Sequence, residues 1–187
     1  MRQHTQSTES LLRQVLQRLD QLNWSLAGAF LWASNLCLLA MLCLTTATIV
    51  LRPFGLAIYW IWPWTMVFFI WLSFFGFFAL YARLKDIRID FIAHRLGPVG
   101  MAATRIIADF AALFLAALLL MQVPMVLATS TGVHDGAVLP SGGEVPRLFL
   151  SLPLFLSTAL VAITALIDLA KMSVGLPENT ASSHLEL

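Results

Sequence analysis

Arg105 and Asp109 are two ionisable residues that stand inside an apolar stretch, one helical turn apart. A charge in hydrocarbon is costly, so an ionisable residue within a membrane span is a functional candidate by default. A carboxylate such as Asp109 could carry a proton or a cation during ion-coupled transport. The pair lies near the start of its stretch, where an arginine can extend its charged end to the interface. We therefore favour a structural ion pair between these two residues.

Histidine and cysteine offer less chemistry. The four histidines all lie outside the long apolar stretches: His4, His94, His134 and His184. Axial haem ligands would have to lie inside the membrane bundle, so a haem protein is disfavoured. Cys37 and Cys43 share one stretch but would point in different directions on a helix, and we interpret them as small packing residues. No phosphate-binding glycine loop, zinc spacing or nucleophile elbow is found. The residues predict a chain without its own active site or cofactor, as in an accessory or scaffolding subunit.

The composition places these residues in a membrane protein. Hydrophobic residues make up 59% of the 187 residues and charged residues 11%, with a mean hydropathy of +0.85. Soluble domains carry roughly a quarter charged residues, so this chain could not cover itself with a polar surface. The net charge of +1 gives no reason to expect a nucleic-acid partner. The polar amino-terminal segment lacks the short apolar core and cleavage site of a removable signal peptide.

The order of the apolar stretches predicts an all-α integral membrane protein, a single membrane domain over 1–187. Each stretch approaches or exceeds the roughly 20 residues that cross a bilayer as a helix. The four predicted spans are 24–50, 61–81, 101–127 and 147–170. In the second span, Gly76 should allow one close helix approach, and an aromatic stripe is expected to contact lipid or the helices of a partner: Phe68, Trp71, Phe75 and Phe78. Pro124 is expected to kink or end the third span, and residues 128–146 are predicted to form a polar loop. We predict an amphipathic helix over 1–23 lying along the membrane interface, although a soluble helix packed on a partner would show the same leucine stripe. Residues 172–187 are predicted to form a flexible tail.

The stretch from Tyr81 to Pro98 is the most charge-dense part of the chain and must connect the second and third spans. It holds four of the eleven Lys and Arg residues and two of the ten acidic ones. Its apolar residues recur at helical spacing, and an unpaired strand edge would not survive within hydrocarbon. We therefore predict an interfacial helix here. Asp86, Arg88 and Asp90 are expected to brace the scaffold or contact a partner, together with Arg105 and Asp109.

The distribution of basic residues predicts the orientation. With the amino terminus inside, the inner segments hold every Lys and Arg except Arg52 and Arg147. The positive-inside rule then places both termini and the turn at 81–98 in the cytoplasm. The outer segments contain four charged residues that a soluble partner could meet: Arg52, Asp135, Glu144 and Arg147.

Several motifs occur in an order that resembles a known family. The first span closes with "IVLR" at Arg52, and tryptophans open the second span. The run "WLSFFGFFALYARLKDIRIDFIAHRL" follows, then a Thr-Gly loop and Pro153 early in the fourth span. Over about 38–170 the chain resembles the small membrane subunit of a tripartite ATP-independent periplasmic (TRAP) transporter. Two departures concern Asp86, where relatives often have histidine, and Thr65 with Met66, where relatives often have a glutamate pair.

The resemblance implies partners and a place in the cell. Small subunits of this family pair with a large membrane subunit of about twelve spans, which moves solute and sodium by an elevator motion. A soluble periplasmic binding protein delivers an organic acid or a similar solute. The small subunit is thought to be a scaffold in the bacterial inner membrane, surrounded by lipids and without a cofactor; sodium is expected in the large subunit. The outer segments with Arg52, Asp135, Glu144 and Arg147 would then face the binding protein.

Two other functions remain open on the residues alone. The chain could be a stand-alone four-helix transporter that couples ion movement through Asp109. It could also be the membrane anchor subunit of a respiratory enzyme, although no histidine lies in a predicted span. Transport by the purified chain would support the first alternative, and the absorbance of a bound haem or quinone would support the second.

Overall fold

The protein is described here by a computed structural model, which describes residues 2–56, 59–83, 97–138 and 142–176. The described elements, in chain order, are α1 (Arg2–Leu51), a 3₁₀ turn (Arg52–Phe54), α2 (Ile61–Arg83), α3 (Gly97–Met121), α4 (Val123–Thr129), β1 (Val133–Val138), β2 (Glu144–Pro146) and α5 (Leu148–Val174). Within these residues, four segments are long and apolar enough to cross a membrane. They lie in α1, α2, α3 with α4, and α5, which confirms the predicted all-α architecture with four spans.

Helix α1 unites two segments that the sequence analysis separated. The predicted interfacial helix over 1–23 and the first span over 24–50 form one helix of 50 residues, with no break at Trp24. At 1.5 Å per residue it is about 75 Å long, far more than the roughly 30 Å hydrocarbon core of a bilayer. The position of its amino-terminal part in the membrane interface stays a prediction. The predicted interfacial helix with Asp86, Arg88 and Asp90 lies outside the described residues, and so does the tail from 177 onwards.

Proline and glycine set the helix boundaries. Pro124 lies in the first turn of α4, directly after the turn at Gln122 that ends α3, as its position in the sequence predicted. Gly175, with φ of 70°, ends α5, and its N–H donates to the carbonyl oxygens of Lys171 and Met172. Glycine is favoured at a position with left-handed backbone conformation, because glycine has no Cβ to clash.

The bundle is built around α5 and the α1–α2 pair. Helix α5 has the largest buried share of the four spans and packs against α1, α2 and α3. The core consists of small and aromatic side chains from three helices: Ala27, Phe78, Ala82 and Val161. Without a hydrophobic drive between helices in lipid, small residues allow the close backbone approach that gives van der Waals contact.

Gly76 lies at a tight contact between α1 and α2. The Ser34 hydroxyl on α1 donates to the Leu72 carbonyl oxygen at 3.2 Å. A Cβ added at Gly76 would lie 3.1 Å from that same Ser34 oxygen. Ser34 is buried. The close helix approach predicted at Gly76 is therefore present.

The aromatic stripe of α2 contacts α1 and α5 through Trp71, Phe75 and Phe78, while its fourth member, Phe68, lies against Trp64 on the same helix. The stripe was predicted to contact lipid or the helices of a partner. Instead, the Phe30 ring lies edge-on to Phe75 at 4.9 Å and to Phe78 at 5.1 Å between centroids. The Trp71 indole donates to the Phe149 carbonyl oxygen at 3.2 Å. That prediction was wrong because α1 and α5 lie on either side of this face of α2.

The predicted polar loop before the fourth span contains a β-hairpin. Strands β1 and β2 pair antiparallel, with Val133 opposite Pro146 and Val138 opposite Glu144. The Trp64 indole donates to the Val138 carbonyl oxygen at 3.1 Å. Gly136, with φ of 82°, lies against Pro63, so closely that a Cβ would lie 3.0 Å from the ring. The hairpin is therefore seated on the first turn of α2.

Candidate functional site

Buried and half-buried polar side chains connect the helices at the end of the bundle that holds Arg83. We call this group the inner polar layer; it comprises Asp20, Asn23, Tyr81, Arg83, Asp109, Thr164, Asp168 and Lys171. Its strongest contact is between the Lys171 ammonium and the Asp20 carboxylate, whose Nζ and Oδ2 atoms are 2.7 Å apart. Both side chains are at least nine-tenths buried. A buried charge is costly to leave alone, so each residue needs the other.

A second contact joins the same two helices, one turn later along α1 and two turns earlier along α5. The Thr164 hydroxyl of α5 lies 3.2 Å from the Asn23 Oδ1 atom of α1 and 2.8 Å from the Leu160 carbonyl oxygen. Its proton can serve either acceptor. Asp168 is also buried, one turn before Lys171 on α5. Together these contacts set the register of α1 on α5.

Arg83 attaches the end of α2 to α1. Its Nη2 atom donates to the Trp24 carbonyl oxygen at 3.4 Å, and its guanidinium carbon lies 4.9 Å from the centroid of the Trp24 ring. A cation over the face of an indole is attracted by the ring's negative face. The missing side chain of Gly28 makes this possible, because a Cβ there would collide with the guanidinium.

Asp109 lies inside the bundle and not on its surface. It is fully buried, and the Tyr81 hydroxyl donates to its Oδ1 atom at 3.3 Å. This contact links α2 to α3, which otherwise packs mainly against α5. Arg105 is half-buried one turn earlier. The predicted ion pair between Arg105 and Asp109 stays a prediction.

The contact between Asp20 and Lys171 was not predicted from the sequence. One local signal was present: Asp20 follows Leu16 by four residues, so it continues the buried side of the helix. A carboxylate in line with an apolar stripe is expected to have a cationic partner. Which cation it meets depends on the fold, since the two residues are 151 positions apart.

The predicted outer residues belong to two parts of the fold. Glu144 begins β2 and is exposed, and the Arg147 Nε atom donates to the Val133 carbonyl oxygen at 3.1 Å. Asp135 belongs to β1, but its side chain is outside the description. These three residues therefore belong to the hairpin and its exit. Arg52 lies in the 3₁₀ turn after α1, where it lines a pocket with the first turn of α2.

The comparison with protein families is decisive for the class of protein. Residues 41–174 match the family described as "Tripartite ATP-independent periplasmic transporters, DctQ component". The chain belongs to this family. The match confirms the resemblance given by the ordered motifs. No curated protein and no solved structure matched the chain.

The family match covers only part of the inner polar layer of this DctQ component. It runs from Met41, near the carboxyl end of α1, to Val174 at the end of α5 and therefore includes Asp109 and Lys171. Asp20, Asn23 and Trp24 precede it. Membership in a transporter family favours a transport component over the anchor of a respiratory enzyme. In the described part of the chain, no group of three or more His, Cys, Asp or Glu side chains could hold a metal ion.

Proposed function

We propose that this DctQ component is the scaffold subunit of a TRAP transporter in the bacterial inner membrane, with both termini in the cytoplasm. It would support a large membrane subunit of about twelve spans during sodium-coupled, binding-protein-dependent uptake of an organic acid or similar solute. The observation that carries the proposal is the inner polar layer, where buried contacts join α1 to both α2 and α5. An elevator motion needs a part that stays fixed in the membrane, and this bundle is built to keep its shape.

The energetics of the polar contacts support a fixed bundle. Sliding α1 along α5 would separate Lys171 from Asp20 and leave two unpaired charges at low dielectric, which costs several kcal/mol. The same movement would separate Asn23 from Thr164. Polar pairs of this kind specify one register between helices. The contribution of this subunit to transport would therefore be mechanical.

The first test is recovery of the partner. We expect gentle purification of the tagged full chain from native membranes to recover a large multi-span protein in stable stoichiometry. Vesicles that contain both proteins should take up solute when binding protein and a sodium gradient are supplied. Vesicles that contain the DctQ component alone should take up none. Uptake by the chain alone, abolished by Asp109→Asn, would contradict the scaffold proposal and support the stand-alone transporter.

A second test concerns docking of the binding protein on the hairpin. Charge reversal at Glu144 or Arg147 should raise the binding-protein concentration for half-maximal uptake by about three- to tenfold, because rim charges mainly govern encounter rates. The effect should shrink at high salt, since exposed charges are screened. Asp135→Lys belongs to the same series. Initial uptake rates at two ionic strengths measure the effect.

The matched control is Arg13→Glu. Arg13 is exposed on the amino-terminal part of α1, at the opposite end of the bundle from the hairpin. This substitution should leave the binding-protein concentration for half-maximal uptake unchanged. Equal effects at Arg13 and Arg147 would argue against docking on the hairpin. Arg52 was predicted to belong with these residues. Its charge reversal is compared separately, because it lies in the pocket beside the end of α1.

A further inference from the structure

A pocket opens between the end of α1 and the start of α2, on the hairpin side of the bundle. It has a volume of about 410 Å³ and is lined by Thr48, Arg52, Leu56, Tyr59, Ile61 and Trp62, among others. Its walls are mostly apolar, and Arg52 provides a positive charge. The Thr48 hydroxyl donates to the Leu44 carbonyl oxygen at 2.9 Å, within its own helix.

Arg52 has no protein counter-ion in the described part of the chain. The segment 52–60 contains no Asp or Glu, and the ion pair described in the bundle joins Lys171 to Asp20, at the opposite end. The side chain of Arg52 is exposed. A guanidinium at such a site is open to an anion from outside the chain, and its planar fork matches a phosphate with two parallel hydrogen bonds.

The surroundings of the pocket place it at the level of the lipid headgroups. Tyr59, Trp60 and Trp62 are exposed to 88%, 49% and 68%, and exposed Trp and Tyr at the end of a span mark the membrane interface. Phe54 and Leu56 are exposed to 73% and 58% on the adjoining turn. The pocket therefore presents an apolar wall to acyl chains and a cation at the depth of the phosphates.

We propose that this pocket binds one phospholipid, with the lipid phosphate paired to Arg52 and the first part of an acyl chain between α1 and α2. A carbon of an acyl chain takes up about as much space as a water molecule in the liquid, about 30 Å³. The pocket volume therefore accommodates roughly a dozen acyl-chain carbons. The charge complementarity between Arg52 and phosphate and the apolar lining both favour this occupant. The proposal does not depend on the transporter function, and it assigns to Arg52 a role different from docking.

The proposal is tested by native mass spectrometry of the full chain with added dioleoylphosphatidylglycerol. The wild-type chain should retain one lipid, and Arg52→Gln should weaken retention about tenfold, because a charge-assisted hydrogen bond is lost. Arg52→Lys should recover part of the affinity, since it keeps the charge but not the fork. Arg147→Gln is the matched control and should stay within about twofold of wild type.

Two probes separate a lipid site from a phosphate site. Dioleoylglycerol, which has the chains without the phosphate, should not be retained by the wild-type chain. Inorganic phosphate at millimolar concentration should not displace the phospholipid. A brominated-chain phosphatidylglycerol should quench the tryptophan fluorescence of wild type more than that of Trp62→Phe, since Trp62 lines the pocket.

Four results would overturn the proposal. The first is equal loss of lipid in Arg52→Gln and Arg147→Gln, which would show only nonspecific attraction. The second is unchanged retention in Arg52→Gln. The third is displacement of the phospholipid by inorganic phosphate, which would show that the acyl chains do not contribute to binding. The fourth is exclusion of phosphatidylglycerol from the site in the assembled complex, with Arg52 crosslinked to the large subunit, because a protein would then fill the pocket.

Discussion

Replacing Lys171 by Met should lower the free energy of unfolding of the chain by about 3 kcal/mol or more. The Lys171 ammonium contacts the Asp20 carboxylate at 2.7 Å, and both groups are buried. Methionine keeps most of the side-chain volume but leaves the carboxylate buried without its cation. Removing one partner of such a pair is far more damaging than removing both. Unfolding in mixed micelles with increasing dodecyl sulfate, followed by circular dichroism, measures the change.

Two variants separate the ion pair from general effects of mutation. The double variant Asp20→Leu with Lys171→Met should recover most of the lost stability, because it removes both charges and leaves apolar atoms in their place. Arg18→Met removes an exposed cation from α1 and should change stability by no more than about 0.5 kcal/mol. If the double variant were as unstable as Lys171→Met, the ion pair would not be the cause.

The second large effect is expected from Gly76→Leu, which should lower the free energy of unfolding by about 3 kcal/mol or prevent stable insertion. Even a Cβ at this position would lie 3.1 Å from the Ser34 hydroxyl oxygen. The three further carbons of leucine must therefore push α1 away from α2. Overpacking of a tight contact costs about 1–3 kcal/mol and occasionally more, and here it also separates Ser34 from the Leu72 carbonyl. The dodecyl sulfate titration in mixed micelles, used for Lys171→Met, also measures this loss of stability.

Ser73→Leu is the matched control for Gly76→Leu. Ser73 is exposed on the same helix, and its hydroxyl donates to the Phe69 carbonyl oxygen at 2.8 Å within α2. A leucine there faces lipid and should be tolerated. Gly76→Ala should have a smaller effect, and Ser34→Gly should rescue it by removing the neighbouring hydroxyl. Equal losses in Gly76→Leu and Ser73→Leu would show that the contact with Ser34 does not matter.

The sequence predicted the features that depend on local pattern. Run length identified the four spans, because the bilayer demands long uninterrupted apolar segments. Pro124 and Gly76 were interpreted correctly, since a missing N–H and a missing side chain have fixed consequences in a helix. These signals need no knowledge of which helices are neighbours.

The features that depend on helix neighbours could not be predicted. Asp20 and Lys171 meet only because α1 and α5 pack together. The aromatic face of α2 would look the same against lipid as against Phe30. The hairpin depends on the surface that Pro63 and Trp64 provide for it. Each of these contacts joins residues far apart in the chain.

The structure also clarifies one departure from the family. Relatives often carry a glutamate pair after the tryptophan near Trp64, where this chain has Thr65 and Met66. The Thr65 hydroxyl lies 2.6 Å from the Trp62 carbonyl oxygen and 3.2 Å from the Ile61 carbonyl oxygen. It is therefore satisfied within its own helix.

The length of α1 has a mechanical consequence. Helix α1 has 50 residues and its neighbour α2 has 23, and a short link joins them at one end. About 40 Å of α1 therefore extends past the other end of α2, at 1.5 Å per residue. Bundles tilt to match the thickness of the bilayer. A tilt of about 10° would move the far end of such a lever sideways by about 7 Å, so the amino terminus converts small changes in bundle orientation into large displacements.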